Sequence, residues 1–283
     1  MASRVFNDLY ALFIDSGPAF HVEYRDGAHA SAGAVDLDGV PKAELERQAS
    51  AAGFPYGLPE GGPHWSFSVD RPGIAILSVR TFLFPMGRTD YEKFFDHAFD
   101  VMREDRTRTL ILDLRGNWGG DPDAAAYLFA RLIREPAPYF EQGTPLYGPL
   151  TRAIPPAPNA FGGELIVLTD GACFSSTGHL CSLLRFHGLA TFVGEETGGS
   201  WSTTDGAADY VLRYTGMRLR SSNSTFRTAV TGFPVGRGVS PDVEVAPAIA
   251  DLIEGRDPVM ERVLSLTGSS SGLLLEESPI GGK

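Results

Sequence analysis

The chain has 283 residues, of which 43% are hydrophobic and 21% charged, a composition typical of a globular protein with a sizeable core. Its formal net charge of −11 without any basic run disfavours nucleic-acid binding, and no apolar run reaches the ~18 residues of a membrane span. The only two cysteines, Cys173 and Cys181, exclude a disulfide framework and a metal cluster, so we expect buried thiols and no metal or cofactor.

Residues 1–63 predict a small N-terminal region of hairpin and helix. An apolar-periodic opening at 6–14 indicates a helix, and alternating residues at 19–24 and 34–40 predict a hairpin that turns at Arg25-Asp26-Gly27. A short helix is expected at 41–52, and the Gly- and Pro-rich stretch 53–63 predicts a loop or linker. The N-terminus shows neither a signal peptide nor a transit peptide, which leaves the cellular location open.

The following residues alternate between strands and helices. Strands are predicted at 65–69 and 73–79, and an amphipathic helix at 89–103, whose aromatic stripe is typical of a core-facing surface. The continuous apolar run 109–114 indicates a strand buried on both faces, and it ends in a glycine turn at 116–120. Within it, Asp113 requires a partner, which suggests a structural role, and Arg115 is expected to pair with a carboxylate or the sheet edge.

The pattern continues with a helix at 124–134, a strand at 165–168, a helix at 177–186 and a strand at 190–193. Antiparallel strands are expected within 207–245, then a last helix at 257–266 and a loose tail at 269–283. Strands that alternate with helices imply βαβ units, so we predict an α/β fold with a mainly parallel sheet and a core domain at 64–268.

Two loops of this core carry candidate chemistry. After the strand 165–168, the chain reads TDGACFSSTG, and a serine at such a strand–helix junction has an exposed hydroxyl beside a helix N-terminus that favours negative charge. Taken alone, Ser175, Ser176 and Thr177 are more typical of helix caps.

The second loop, Asn117-Trp118-Gly119-Gly120, follows a buried strand at the sheet edge where α/β proteins bind ligands. It is neither a phosphate loop nor a dinucleotide fingerprint, and its alternative interpretation is a simple turn. If the two loops face each other, Ser175 is a candidate nucleophile, and the backbone N–H groups of Gly119 and Ser176 are candidate donors to an oxyanion.

The chain resembles the tail-specific (C-terminal-processing) serine protease family in four segments that occur in the family's order. GIAILSVRTF at 73–82 is similar to the family's GYLRI…F strand, and LILDLRGNWGG at 110–120 to LILDLRGNGGG. The segment 165–199 is similar to three family features in succession: a strand, the motif FSAAE that contains the nucleophile, and the motif GRATLVGEPTGG. The segment 238–258 is similar to the family's closing motif GVxPDVxV…GxDP. The match covers about residues 70–266.

This resemblance implies a crotonase-like α/β spiral and a serine peptidase that acts on peptides or proteins. It places the nucleophile on Ser175 and the oxyanion donors on the backbone of Gly119 and Ser176. The TGG ending is similar to the tricorn and interphotoreceptor retinoid-binding protein branch, and relatives are often exported.

The general base departs from the family pattern. The lysine of the bacterial processing proteases aligns with Ser200, and the chain's lysines are confined to positions 42, 93 and 283. The branch that ends in TGG takes a histidine from a preceding helical segment, but 1–70 contain no SH or DSH. The acid expected before GVxPD is replaced by Val235-Gly236-Arg237.

Three explanations for the missing base stay open. In the first, the chain is a fragment, the histidine belongs to an N-terminal helical part of the longer protein, and residues 1–63 are the remainder of that truncated domain. Alternatively, a local histidine serves: His179, four residues after Ser175 on the same helix face, ahead of His187 and His64. In the third explanation, the protein is a catalytically incomplete relative that binds peptides or a hydrophobic ligand.

The predicted function is therefore serine-type peptide hydrolysis, with a binding protein on the same scaffold as the alternative. A role in acyl-CoA chemistry is a weaker third interpretation, because no nucleotide or pantetheine site is evident and the acidic charge would not attract CoA phosphates. The sequence leaves the oligomeric state and the cleavage preference open.

Overall fold

A computed structural model describes residues 18–25, 32–41, 44, 47, 64–84, 87–205 and 208–268. The predicted helix at 6–14, most of the helix at 41–52, the linker 53–63, the tail 269–283 and the centre of the hairpin turn lie outside these residues. The predicted hairpin is present, because β1 (Ala19–Arg25) pairs antiparallel with β2 (Ala32–Asp38).

The centre of the molecule is a six-stranded sheet in the order β14-β9-β8-β5-β4-β3. Its strands are β3 (Trp65–Arg71), β4 (Ile74–Val79), β5 (Thr109–Asp113), β8 (Glu164–Thr169), β9 (Thr191–Gly194) and β14 (Val243–Glu244). All neighbours are parallel except β3 and β4, which form an antiparallel pair. The predicted α/β class with a mainly parallel sheet is confirmed.

The two central strands are buried on both faces, as their continuous apolar sequences predict. Leu110 and Leu112 of β5 point into a large core, whereas Ile111 joins a second, smaller cluster on the opposite face. Helices cover both faces: α1 (Arg88–Glu104), α2 (Pro122–Phe129), α3 (Ser176–Phe186), α4 (Ile249–Glu254) and α5 (Pro258–Gly268). The aromatic stripe of α1 is buried, as predicted, at Tyr91, Phe95 and Phe99.

The predicted helix at 124–134 is wrong at its C-terminal end, because α2 stops at Phe129. The carbonyls of Ala130 and Arg131 accept hydrogen bonds from Ala157 and Phe161, which lie far along the chain, and so do not continue the helix. Two short strands, β6 (Ala137–Pro138) and β7 (Ala153–Ile154), and a 3₁₀ turn at Gly148–Thr151 occupy the following segment.

The region predicted as antiparallel strands divides into two parts. β10 (Ser202–Asp205), β11 (Ala208–Val211), β12 (Arg218–Ser221) and β13 (Ser224–Arg227) are antiparallel, as expected. β14 instead adds to the central sheet parallel to β9, because Val243 joins the second core and the Asp242 carboxylate accepts the Phe192 N–H. Within the described residues, no helix has the length and apolarity needed to traverse a bilayer.

Candidate active site

Ser175 stands at the junction between the loop that leaves β8 and the first residue of α3. Its backbone adopts φ 53° and ψ −126°, a region that non-glycine residues rarely enter and that costs about 1–3 kcal/mol. The residue is partly exposed, and its hydroxyl forms no hydrogen bond with any residue that the structure describes. The fold therefore holds this side chain in a strained position at a helix N-terminus.

The Gly119 loop lies directly against Ser175, as the parallel pairing of β5 with β8 requires. Gly119 has φ +100°, and a Cβ atom placed on it would stand 2.7 Å from the Ser175 Cβ and 2.8 Å from the Phe174 oxygen. The Phe174 N–H donates to the Asn117 oxygen at 3.1 Å, and the Ser176 hydroxyl donates to the Gly120 oxygen at 2.8 Å. The structure thus brings together the two loops that carry Ser175, Ser176 and Gly119.

The two candidate oxyanion donors differ in their hydrogen bonding. The Ser176 N–H, the first amide of α3, has no acceptor among the described residues. The Gly119 N–H instead donates to the Asn117 Oδ1 at 2.8 Å, and Asn117 is itself fully buried. A donor role for Gly119 therefore requires its amide to leave Asn117 or to share its hydrogen.

A third loop, at 194–200, closes the site from the other side. The Gly199 N–H donates to the Cys173 oxygen at 2.9 Å, and a Cβ atom on Gly199 would lie 3.0 Å from the Ser175 nitrogen. Ser200 follows, packed against Gly178 of α3, with its hydroxyl oxygen buried and without a partner among the described residues. Ser200 is the position where the family's lysine is absent, and the sequence alone predicts no role for it.

His179 is a packed histidine in the first turn of α3. Its ring is 2% exposed, with the edges of Tyr139 and Phe140 against it, and its Nε2 lies 3.2 Å from the Thr203 Oγ1. Burial lowers the pKa of His179 to about 4, which an interaction with the Phe226 backbone offsets only in part. His179 is therefore neutral at pH 7 and held by Thr203. Its backbone N–H donates to the Ser175 backbone oxygen at 3.0 Å, but among the described residues no hydrogen bond joins its ring to the Ser175 hydroxyl.

The other candidate bases lie elsewhere in the fold. His187 caps the far end of α3, about 18 Å along the helix axis from Ser175, and His64 precedes β3. Lys93 is exposed on α1. The cysteines Cys173 and Cys181 are buried thiols, as predicted, and burial raises the pKa of Cys181 to about 12, so neither is a ready nucleophile.

A cleft of about 510 Å³ opens beside the Ser175 turn. Its floor is formed by the 197–200 loop and its rim by an ion pair between Glu196 and Arg237, which lowers the pKa of the Glu196 carboxyl. Phe174, Trp201, Ser202, Arg227, Pro234 and Val235 complete the lining. The cleft offers apolar and hydrogen-bonding surface for a polypeptide, and no cluster of His, Cys, Asp or Glu in the described part of the chain could hold a metal ion.

An ion cluster centred on the buried Asp113 lies beside the loop after β5. Asp113, 2% exposed, accepts hydrogen bonds from both Arg80 and Arg115, and Arg115 also binds Asp257 at the start of α5. These contacts confirm that Asp113 has a partner and that Arg115 pairs with a carboxylate, whereas the structural role of Asp113 stays a prediction. The cluster fixes the direction in which the chain enters the Gly119 loop.

Comparison with known proteins identifies a family. A family model described as Peptidase family S41 matches residues 73–245. Among solved structures, mature CPAF complexed with lactacystin aligns with a TM-score of 0.62 at 15% identity, covering 89% of this chain and 68% of that one. A Parabacteroides merdae protein described as a peptidase aligns with a TM-score of 0.52 at 20% identity, covering 78% of this chain and 69% of that one.

A Bacteroides fragilis protein described as an S41 protease gives a TM-score of 0.52 at 15% identity, covering 93% of this chain and 69% of that one. At such identities these likenesses establish the fold. A search of curated protein sequences finds no match. The match is to the family as a whole, so the tricorn-like branch stays a prediction.

Proposed function

The chain belongs to peptidase family S41, and on that premise we propose that it is a serine peptidase in which Ser175 attacks the carbonyl carbon of a peptide bond. The observation that carries the proposal is the strained backbone of Ser175, which projects its hydroxyl at the N-terminus of α3 and against Gly119. Strain of this kind persists where the surrounding structure imposes it and clusters at functional sites.

The negative charge that develops on the carbonyl oxygen would be stabilised by the Ser176 N–H at the positive end of α3. The Gly119 N–H would join it once released from Asn117. Losing one such donor typically costs about 10²–10³ in rate. A peptide lying in the neighbouring cleft would reach Ser175 from the side of Phe174 and Ser200.

The general base is the open element of the mechanism. His179 serves only if its ring turns from Thr203 toward Ser175, and its low pKa makes it a weak proton acceptor. The alternative function, binding of a peptide or a hydrophobic ligand without hydrolysis, is favoured by one observation: no described basic group contacts the Ser175 hydroxyl.

A fluorophosphonate probe tests the nucleophile directly. We expect mass spectrometry to find the label on Ser175 in the purified chain, whereas Ser175→Ala takes no label, hydrolyses no peptide and melts at nearly the same temperature. A label on another serine, or full peptidase activity in Ser175→Ala, contradicts the assignment. Absence of any label, with measurable peptide affinity, supports the binding protein instead.

A further inference from the structure

β10 pairs with β13 in one two-stranded sheet and β11 pairs with β12 in a second, and we call these two sheets together the ribbon. Asp205 lies opposite Ser224, and Ala208, three residues later, lies opposite Ser221, three residues earlier, so the two sheets have the same register. The ribbon begins at the cleft, where Ser202 and Arg227 are part of the lining, and turns at 212–217.

One face of the outer half of this ribbon is apolar and exposed. Tyr210 lies opposite Leu219, and Leu212 is bonded through its N–H to the Met217 oxygen, so these four side chains share a face. Their exposed fractions are 51%, 50%, 42% and 62%, and Tyr214 at the turn is 93% exposed. A two-stranded ribbon is marginally stable by itself, and a contiguous apolar patch marks an interaction surface.

The root of the ribbon connects this face to the catalytic candidates. Thr203 of β10 contacts the His179 ring, which lies on the helix that begins after Ser175. The cleft lining contains Ser200 and Phe174 on one side and the ribbon residues Ser202 and Arg227 on the other. A chain that occupies the cleft therefore contacts the neighbours of Ser175 as well as β10 and β13 of the ribbon.

The charge of the ribbon indicates which kind of partner it can bind. Residues 208–221 contain three arginines and one aspartate, within a chain of net charge −11. Pairing of two ribbons from two copies would bring their arginines together, which disfavours self-association through this face. A segment that is apolar and flanked by acidic residues is complementary to it.

We propose that the apolar face of the ribbon holds an extended, apolar and acid-flanked segment of an unfolded protein whose scissile bond lies at Ser175. This inference rests on the proposed peptidase function. From Ala208 to Leu212 the apolar face spans about 13 Å, the length of roughly four extended residues. Unfolded proteins engage the ribbon, whereas peptides of four residues fill only the cleft.

The test measures binding in the Ser175→Ala background, so that it does not depend on hydrolysis. The probe is fluorescein-labelled, reduced and carboxymethylated α-lactalbumin, an acidic unfolded protein, followed by fluorescence anisotropy. Replacing Tyr210 and Leu219 together by serine is expected to raise Kd about tenfold, because apolar contact area is lost. The control Val211→Ser, on the opposite face and 66% exposed, is expected to change Kd less than about twofold.

In the active chain, the same double variant should lower kcat/KM for the unfolded protein about tenfold and leave a fluorogenic tetrapeptide unaffected. Met217→Ser provides a second variant if the double variant does not fold. An unchanged Kd in every folded variant overturns the proposal. Sedimentation that shows the unsubstituted chain as a dimer and the variants as monomers also overturns it, because the face would then be a dimer interface. If Kd rises as expected but no chain hydrolyses either substrate, the ribbon assignment stands and the peptidase function fails.

Discussion

Two buried hydroxyl groups beside Ser175 have no hydrogen-bond partner among the described residues. Among all described residues, five buried side-chain atoms lack a hydrogen-bond partner, and two of them, Thr177 Oγ1 and Ser200 Oγ, lie beside Ser175. Because unsatisfied buried groups cost free energy, their concentration beside one strained serine is typical of a functional site. Burial also lowers the pKa of His179, one turn further along α3.

We expect His179 to make folding stability depend on pH. Its pKa is about 4 in the folded chain and 6.5 when unperturbed, so the unfolded chain binds a proton across this interval and the folded chain does not. The contribution is fully present above pH 6.5 and is lost as pH falls toward 4, by roughly 3 kcal/mol in total. Urea unfolding at pH 7.5, 5.5 and 4.5 should show a smaller decrease for His179→Gln than for the unsubstituted chain.

His97→Gln is the control for this comparison, because His97 is exposed on α1. Its unfolding free energy should follow that of the unsubstituted chain across the pH series. Equal slopes for His179→Gln and the unsubstituted chain would show that His179 does not titrate as its burial implies.

At the scale of single elements, the geometry of the site depends on the close approach of two loops. Gly119 and Ser175 follow neighbouring parallel strands, and the absence of a side chain on Gly119 lets the Ser175 turn come within contact distance. Gly120 adopts φ +139° and packs on the Phe82 backbone in the same way. These loops have little room to adjust, because each is fixed by backbone hydrogen bonds to the other.

Gly119→Ala should therefore displace the Ser175 turn. We expect loss of fluorophosphonate labelling and a destabilisation of several kcal/mol, because a Cβ at 2.7–2.8 Å from Ser175 and Phe174 forces backbone movement. The matched control is Gly143→Ala, which has a similar positive φ of 86° but no atom within 4 Å. It should cost only about 1–2 kcal/mol and leave labelling intact; equal effects of the two substitutions would refute the close-contact explanation.

Across the whole molecule, one ion cluster joins distant parts of the sequence beneath the site. Arg80 after β4, Asp113 at the end of β5, Arg115 in the next loop and Asp257 before α5 meet in it, although 142 positions separate Arg115 from Asp257. Its centre, Asp113, is buried between two guanidinium groups. Removing Asp113 leaves the largely buried Arg115 guanidinium with one carboxylate fewer.

Asp113→Ala should lower the free energy of unfolding by about 3–5 kcal/mol, as expected for a broken buried ion pair. The control is Glu92→Ala, which removes an exposed i,i+4 pair with Arg88 and should cost no more than about 1 kcal/mol. Urea denaturation of both variants measures the difference. Similar values for the two would mean that the buried cluster contributes no more than a surface pair.

The sequence by itself determined the elements whose signals are local. The continuous apolar runs of β5 and β8, the stripe of α1 and the hydroxyl-rich turn before α3 each depend on neighbours within a few residues. Such patterns predict buried strands, an amphipathic helix and a strand–helix junction at Ser175. Local patterns were also enough to identify the family, because its four motifs are short and occur in a fixed order.

Only the tertiary structure decided which groups hold one another. The bond from Gly119 N–H to Asn117, the contact of His179 with Thr203, the early end of α2 and the apolar face of the ribbon all depend on partners from other segments. A hydrogen bond or a covered face is a property of two segments brought together by folding. Local periodicity carries no information about that second segment, so these features can be seen only in the folded structure.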